Sequence, residues 1–228
     1  MYQSIESRFQ TVKANVDLAC SGINQSPQSV KIIAVSKLQS TDIIKEAYDN
    51  GVRDFGENYA QELAEKSLSC TNDIVWHFIG PIQSNKVSLI AKHADWVHSI
   101  DREKIAKKLN GALEAEGKKI HALVQVNIDR EESKSGIHPE DVISFANNLI
   151  THYPNLMLEG LMFMPKINTS KKAKMDTMNK IINLQKSLIS QHPGCKNLSL
   201  GTSGDFEESI IAGSTIIRIG EGLLGKRP

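Results

Sequence analysis

The sequence has no excess of one charge, no long apolar run and few cysteines. Its 27 basic and 26 acidic side chains leave a net charge of +1, which gives no electrostatic reason to expect nucleic acid or anionic lipid as a partner. No apolar run approaches the roughly 20 residues that cross a bilayer. Residues 1–10 are polar and mixed in charge, unlike a signal peptide. Membrane and nucleic-acid-binding classes are therefore disfavoured.

The three cysteines are Cys20, Cys70 and Cys195. They are odd in number, widely spaced and in no CxxC or metal-ligand pattern, which is typical of reduced thiols. The sequence therefore predicts a cytoplasmic protein without a disulfide framework, and we expect a monomer.

Short apolar runs alternate with helical patterns along the whole chain. The first run, residues 31–37, has four consecutive apolar residues, three of them β-branched, which is typical of a strand buried on both faces. A helical pattern over residues 4–20 precedes it, and Asp101 is a good N-cap for the helix after the fourth strand. The eight predicted strands are 31–37, 52–56, 75–79, 96–100, 121–126, 158–163, 197–200 and 215–219.

This alternation predicts an α/β protein, a single (β/α)8 TIM barrel over residues 1–228 with an extra N-terminal helix. No segment has the character of a linker between domains. A doubly wound open sheet is the alternative, but that fold more often has a glycine-rich turn after its first strand. Here the glycines cluster near the end of the chain, which favours the barrel.

Two features at predicted strand ends indicate a ligand site. Lys37 ends the first strand, where α/β folds place their ligands, although a lysine there can also simply reach water. Residues 201–205 and 220–222 are glycine-rich loops after the last two strands, where barrel enzymes often bind phosphate. The alternative for the first loop is a turn with a helix cap formed by Asp205 and Glu208.

Several polar residues in or next to the predicted strands have either a structural role or a ligand-binding role. Arg218 lies in an apolar strand, where a guanidinium is costly unless it meets a carboxylate or a ligand. Asn58 is either a helix cap or a ligand contact. His77 and His98 are interpreted as core or rim histidines with satisfied hydrogen bonds, because no spacing favours a metal.

A lysine at the barrel mouth, an arginine in the last strand and two phosphate-type loops together suggest pyridoxal phosphate. Its aldehyde forms a Schiff base with a lysine amine, its phosphate needs a cradle, and its ring nitrogen needs a partner.

The same residues belong to motifs that run in order from about residue 31 to the end of the chain. The chain resembles the YggS/PROSC family, the pyridoxal phosphate homeostasis proteins. The matching segments are 34–37 (AVSK), 55–58 (FGEN), 77–80 (HFIG), 83–86 (QSNK), 134–136 (KSG), 160–162 (GLM), 199–205 (SLGTSGD), 213–215 (GST) and 218–220 (RIG).

The resemblance implies a barrel similar to the amino-terminal domain of bacterial alanine racemase. It implies that Lys37 is the Schiff-base lysine and that Ser203 and the Gly220 region contact the phosphate. Arg218 falls on the partner of the pyridine nitrogen, and Asn58 on a residue near the cofactor.

The sequence departs from the family pattern in two loops. Leu200 and Thr202 stand where the family usually has methionines around the glycine of the seventh-strand loop. Glu221 stands where the family usually has threonine. Because a carboxylate repels phosphate, we expect the Glu221 side chain to point away and only its backbone N–H to face the anion.

Two functions from different classes fit these residues. The first is a protein that holds pyridoxal phosphate and regulates its free level, serving recipient enzymes without turning over a substrate. The second is an amino-acid racemase, which needs acid/base groups on both faces of the substrate's α-carbon. In alanine racemase the second base is a tyrosine of a separate domain, and the sequence shows no such domain. Its tyrosines lie outside the strand ends, Tyr59 being the nearest; the others are Tyr2, Tyr48 and Tyr153.

A cofactor-free Schiff-base lyase is a third and weaker reading, which would leave the phosphate loops for its substrate. We expect the first function, with no catalytic residues.

Overall fold

A closed barrel of parallel strands forms the centre of the computed structural model, which describes residues 3–71, 73–166 and 170–227. Each strand pairs with the next along the chain, and the eighth strand of this part of the chain pairs with the first. The predicted barrel fold is confirmed. The strands are β1 (Lys31–Val35), β2 (Asp54–Glu57), β3 (Val75–Phe78), β4 (Trp96–Ile100), β5 (Ile120–Val126), β6 (Leu156–Phe163), β7 (Asn197–Thr202) and β8 (Ile216–Ile219).

Helices follow the strands and cover the outside of the barrel. The extra N-terminal helix is present as α1, and short 3-10 turns precede β1 and α6 at Pro27–Ser29 and Pro139–Asp141. None of the helices in the described part of the chain is both long enough and apolar enough to cross a membrane. The helices are α1 (Ile5–Ser21), α2 (Thr41–Asp49), α3 (Ala60–Ser69), α4 (Val87–His93), α5 (Glu103–Ala115), α6 (Val142–His152), α7 (Lys171–Gln191), α8 (Phe206–Ile211) and α9 (Glu221–Leu224).

Serine hydroxyls begin three of these helices. Ser4, Ser40 and Ser170 each accept a hydrogen bond from the backbone N–H three residues further on, which satisfies a donor that the helix leaves free. The predicted N-cap at Asp101 is wrong. Arg102 occupies the cap position of α5 without a side-chain bond to the helix, and the Asp101 carboxylate accepts from the Arg102 guanidinium instead.

Alternation along the strands divides the core into two parts. A large apolar cluster lies between the strands and the helices, with Ala34, Phe55 and Val97 fully buried on that side. A smaller apolar cluster occupies the barrel interior, as expected where successive side chains point to opposite faces. Its members are Ile33, Trp96, Leu123, Met162 and Ile216.

Two glycines let backbone segments approach one another closely. A Cβ atom on Gly160, whose φ is 151°, would lie 1.8 Å from the carbonyl oxygen of Asn197 on β7. A Cβ atom on Gly80 would lie 2.2 Å from the carbonyl oxygen of Asn58. Only glycine fits at these contacts, and the second one fixes the loop after β3 against the loop after β2.

Candidate functional site

A cavity of about 340 Å³ opens at the carboxyl end of the barrel strands. All five residues that the sequence predicts for cofactor binding line it, although they come from four separate parts of the chain. They are Lys37, Asn58, Ser203, Arg218 and Gly220. Thr202 and Glu221 of the two predicted phosphate loops also line it, together with four residues that the sequence did not indicate, namely Val35, Ile79, Met164 and Arg227. The structure thus brings the predicted residues together, while their cofactor-binding roles stay predictions.

The Lys37 side chain is half-buried, two residues beyond the end of β1. Burial lowers its pKa, and the nearby Arg227 guanidinium lowers it further, against the opposing charges of Glu57 and Glu62. No hydrogen bond from another described residue acts on this amine. A larger fraction of the Lys37 amine is therefore uncharged than in an ordinary lysine, and the uncharged form is the nucleophile.

A buried ion-pair network holds the backbone next to Lys37. The Lys66 Nζ atom donates to the carbonyl oxygen of Ser36 at 2.8 Å, to Glu57 Oε1 at 2.9 Å and to Glu62 Oε2 at 2.7 Å. The Ser36 hydroxyl donates to Glu57 Oε1 at 2.6 Å. Because Glu57 and Ser36 are fully buried, these bonds fix the end of β1 in a water-poor environment. Burial raises the pKa of Glu57 to about 7, despite the attraction of Lys66.

The residue after Lys37 has an unusual backbone conformation. Leu38 has a φ of 61°, a left-handed conformation that non-glycine residues adopt at a cost on the order of 1–3 kcal/mol. Its N–H donates to Glu62 Oε2 at 2.8 Å, so the ion-pair network also stabilises this turn. The turn follows the residue that carries the amine and so fixes where that amine emerges.

Asn58 contributes a buried acceptor without a partner. Its Oδ1 atom is shielded from solvent, and no donor among the described residues bonds it. An unsatisfied buried carbonyl is costly, so such an atom beside a cavity indicates a site for a polar ligand. Asn58 fits the predicted ligand contact.

The loops after β7 and β8 meet at the cavity. A Cβ atom on Gly222 would lie 3.3 Å from Ser203 Oγ, and one on Gly220 would lie 3.1 Å from an Arg227 side-chain nitrogen. Ser203 is exposed, so its hydroxyl is available as a donor. A hydroxyl, a guanidinium and two glycine backbones converge here, which suits a phosphate group.

Asp205 occupies the N-cap position of α8, as the alternative for the β7 loop predicts, but its side chain does not cap the helix. Its carboxylate accepts from the Thr202 N–H at 2.7 Å and from the Thr202 hydroxyl at 2.9 Å, and its side chain makes no bond to the start of α8. The Thr202 hydroxyl is thereby engaged within the loop. Thr202 and Ser203 both line the cavity, and Ser203 is the one of the two whose hydroxyl Asp205 does not bind.

The Glu221 carboxylate lies at the rim of the cavity. Its side chain is 58% exposed, and its Oε1 atom is 4.0 Å from the Arg227 Nη1 atom. Water and Arg227 therefore screen this negative charge, as the departure from the family pattern requires if an anion is to bind nearby.

Arg218 crosses the floor of the cavity and is only 5% exposed. Its Nη1 atom donates to Ser199 Oγ, and its Nη2 atom donates to the carbonyl oxygen of Phe163 at 2.9 Å. No carboxylate among the described residues pairs with it, and Asp205 acts only at longer range. Burial lowers the pKa of Arg218 to about 10, so the guanidinium is charged at neutral pH. The carboxylate-paired alternative is thus not the arrangement found.

The two strand histidines have the environment that the sequence indicates. His77 and His98 are fully buried and hydrogen-bonded to each other at 3.0 Å, and each has a further partner. They are core histidines rather than cavity residues.

Three of the four tyrosines lie in the part of the chain that the structure describes. The Tyr48 hydroxyl donates to Asp73, and the Tyr153 hydroxyl donates to Glu103. Tyr59 is 51% exposed at the start of α3. None of these three lines the cavity, and Tyr2 lies outside the described residues.

Comparison with known proteins first defines the class. Residues 8–228 match the family model described as "Alanine racemase, N-terminal domain". An alanine racemase from Clostridium difficile 630 superposes with a TM-score of 0.76 over 94% of this chain and 56% of its own. At 16% identity, that likeness shows the shared barrel fold.

Closer relatives define the group within this class. A pyridoxal phosphate homeostasis protein from Vibrio alginolyticus is 41% identical, with 98% of both chains covered. PipY from Synechococcus elongatus PCC7942, solved with PLP bound, has a TM-score of 0.79 at 30% identity and covers 92% of this chain and 100% of its own. The chain therefore belongs to the pyridoxal phosphate homeostasis protein family, which confirms the resemblance seen in the sequence.

Proposed function

We propose that the protein binds pyridoxal phosphate through Lys37 and regulates its free concentration without turning over a substrate. The observation that carries this proposal is the convergence on one cavity of an amine and a buried acceptor, neither of them bonded by a described residue, with the Ser203 hydroxyl and the Arg227 guanidinium. When bound, pyridoxal phosphate supplies an aldehyde that condenses with a primary amine. The family name of the relatives and the PLP-bound PipY structure support the same ligand.

Each cavity residue has a task in this proposal. The lowered pKa of Lys37 leaves a larger share of its amine in the uncharged, nucleophilic form than in an ordinary lysine. Ser203, the Gly220 backbone and Arg227 bind the phosphate at the junction of the two loops. Arg218 faces the ring nitrogen and, as a permanent donor, keeps it unprotonated. An unprotonated ring is a poor electron sink, so this residue discourages carbanion chemistry.

The arrangement of possible bases favours a carrier over a racemase. Racemisation requires a second acid/base group on the face opposite Lys37. The tyrosines in the described ranges do not line the cavity, and about half of the Tyr59 surface is exposed to solvent. We therefore propose a carrier. We also propose that it acts in the cytoplasm, as the cysteine pattern predicts, and that it works as a monomer.

Borohydride reduction tests the binding site directly. The protein incubated with pyridoxal phosphate is reduced, digested and mapped by mass spectrometry. We expect the pyridoxyl group on Lys37 and its loss in Lys37→Ala, whereas Lys86→Ala serves as a control outside the cavity. A pyridoxyl group mainly on Lys86 or Lys134 would refute the assignment.

Deuterium exchange tests the absence of turnover. The loaded protein is incubated with L-alanine and other L-amino acids in deuterated water. We expect no accumulation of the D-isomer. Steady α-deuteration over many turnovers, lost in Lys37→Ala, would establish a racemase and contradict the carrier function.

A further inference from the structure

A line of hydrogen-bonded side chains runs through the barrel interior behind Arg218. The Arg218 guanidinium donates to Ser199 Oγ, which lies 3.0 Å from His98 Nδ1. His98 Nε2 lies 3.0 Å from His77 Nδ1. His77 Nε2 lies 2.9 Å from Asp54 Oδ1. Four hydrogen bonds therefore join the floor of the cavity to a carboxylate at the start of β2, and we call these five residues the polar line.

The polar line ends at the opposite mouth of the barrel. Asp54 Oδ1 also accepts from Lys31 Nζ at 2.7 Å, and both residues line a second cavity of about 590 Å³ at the amino end of the strands. Between the two mouths, Ser199, His98 and His77 are fully buried. No water is needed to complete the connection, because each bond is direct.

The two ends of the polar line fix the direction of every bond in it. A guanidinium can only donate, and a carboxylate can only accept. Since Ser199 Oγ accepts from Arg218, its hydroxyl hydrogen has one acceptor among the described residues, His98 Nδ1. His98 must then carry its proton on Nε2 and donate it to His77 Nδ1. His77 in turn carries its proton on Nε2 and donates to Asp54.

Other protonation states are disfavoured. With both histidines protonated on Nδ1, the Ser199 hydroxyl would be buried without an acceptor, and His77 Nε2 would face Asp54 without a proton to donate. A charged His98 would lie between the positive charges of Arg218 and Lys31, and burial together with these charges lowers its pKa. Burial also lowers the pKa of His77, although Asp54 opposes this change. Trp96 stacks on the His77 ring with centroids 5.6 Å apart and so restrains its orientation.

We infer that Ser199 and His98 are positioning residues that orient Arg218, and that the polar line links this orientation to the Asp54–Lys31 pair at the far mouth. Arg218 has five N–H donors, of which Ser199 and Phe163 take one each. Those two bonds fix the guanidinium plane, so its other donors point in a set direction at the cavity. The inference rests on the proposed function in one respect: there, the ring nitrogen of pyridoxal phosphate is the group that Arg218 contacts.

Imidazole nitrogen NMR tests the direction of the polar line in the protein without cofactor. We expect His77 and His98 to be neutral, each with its proton on Nε2, between about pH 6 and pH 8, where an ordinary histidine titrates. A proton on His98 Nδ1, or a charged His98 in this range, would overturn the inference. Because no cofactor is present, this result does not depend on the proposed function.

Binding measurements test the link to the cavity. Asp54→Asn replaces an acceptor with a group that both donates and accepts, so the direction of the bonds is no longer fixed. We expect mixed histidine tautomers in this variant, about tenfold weaker binding of pyridoxal phosphate and a shifted absorption maximum of the bound cofactor. Wild-type tautomers together with wild-type affinity would overturn the link.

Serine variants provide the local test and its controls. Ser199→Ala removes the contact to Arg218. We expect mixed histidine tautomers, weaker binding of pyridoxal phosphate and a shifted absorption maximum, as in Asp54→Asn. Ser199→Thr keeps a hydroxyl and should restore the wild-type tautomers, affinity and absorption maximum. Ser67→Ala removes a comparable bond, 2.7 Å from Ser67 Oγ to His93 Nδ1, on the outer helices and should change neither. Equal affinity in Ser199→Ala and Ser67→Ala would refute the positioning role. If the wild-type protein binds no pyridoxal phosphate, the proposed function fails, and the NMR result alone decides the direction of the polar line.

Discussion

Replacing Lys66 with methionine should loosen the segment that carries Lys37. Lys66 Nζ is the donor to Ser36, Glu57 and Glu62, and its side chain is only 8% exposed. Methionine keeps the length of the apolar stem but removes the charge, so the Glu57 carboxylate stays buried without its cation. Breaking a buried ion pair from one side costs about 3–5 kcal/mol. We therefore expect Lys66→Met to lower the free energy of unfolding by about this amount at pH 8.

The loss of stability in Lys66→Met should be larger at high pH than at low pH. The pKa of Glu57 is raised from an ordinary 4.5 to about 7, so the folded state binds this proton more tightly than the unfolded state. The protonation of Glu57 therefore contributes its full amount to the free energy of unfolding below pH 4.5, and this contribution is lost as the pH rises toward 7. Without Lys66 the pKa of Glu57 rises further, and the loss extends to higher pH. At about pH 5.5 a neutral Glu57 should reduce the cost to roughly 1–3 kcal/mol.

Urea unfolding at the two pH values, followed by fluorescence of the buried tryptophans Trp76 and Trp96, measures both quantities. Lys107→Met, at an exposed position of α5, is the matched control and should change stability little. Hydrogen exchange at the Leu38 amide, which bonds Glu62, reports the local effect. A cost in Lys66→Met below about 1 kcal/mol at pH 8, equal at both pH values, would refute the reasoning.

Three further changes test other parts of the site and fold. Ser203→Ala should weaken pyridoxal phosphate binding by about 1–3 kcal/mol in a fluorescence titration, and unchanged affinity would mean that the hydroxyl only turns the chain. Gly160→Ala should destabilise the fold by about 3 kcal/mol in urea, since its Cβ collides with β7, whereas Gly111→Ala in α5 has free space and should stabilise by about 0.5–1 kcal/mol. Arg227→Gln removes a positive charge that lowers the pKa of Lys37, so the amine should be more protonated and should react more slowly with pyridoxal phosphate at pH 7; an unchanged pH–rate profile would contradict this.

The barrel was predictable because its strands and helices differ clearly in sequence pattern. Strand predictions fell within about two residues of the observed ends, and β4 was predicted at its observed bounds. The N-cap at Asp101 failed because a cap depends on where the carboxylate can turn, and Arg102 offered a nearer partner. Sequence spacing carries no information on that competition.

The cavity was predictable where a residue combined an unusual type with a strand end. Lys37 and Arg218 stood out in this way, and the glycine-rich loops after β7 and β8 indicated Ser203 and Gly220. Arg227 was missed, because it lies near the end of the chain in a segment without a periodic pattern. Its contact with the cavity depends on how the chain folds back over Gly220.

The polar line was missed although its members were visible. Counting every second residue along each strand from the inward-facing Lys37 and Arg218 gives Lys31 on β1 and Ile216 on β8 as interior positions. On β3 and β4, His77 and His98 each follow by two residues a side chain at the interior cluster, Val75 and Trp96, and therefore also face the interior. What the sequence could not supply is the stagger between strands, which decides that these two rings meet each other rather than an apolar neighbour.

The two cations of the cavity are held in opposite ways, and this difference suits a carrier. Arg218 is fixed by Ser199 and Phe163 at the buried floor, so its charge meets the ligand in one orientation. The backbone at Lys37 is held by the ion-pair network, but no residue in the described ranges bonds its amine, and its pKa is lowered. With no hydrogen bond to a described residue, this amine has none to break before it reacts, and its lowered pKa makes the loss of its proton easier than in an ordinary lysine. In the proposed binding mode, binding and release depend mainly on the phosphate contacts of the β7 and β8 loops, where the ligand can be exchanged without disturbing the interior of the barrel.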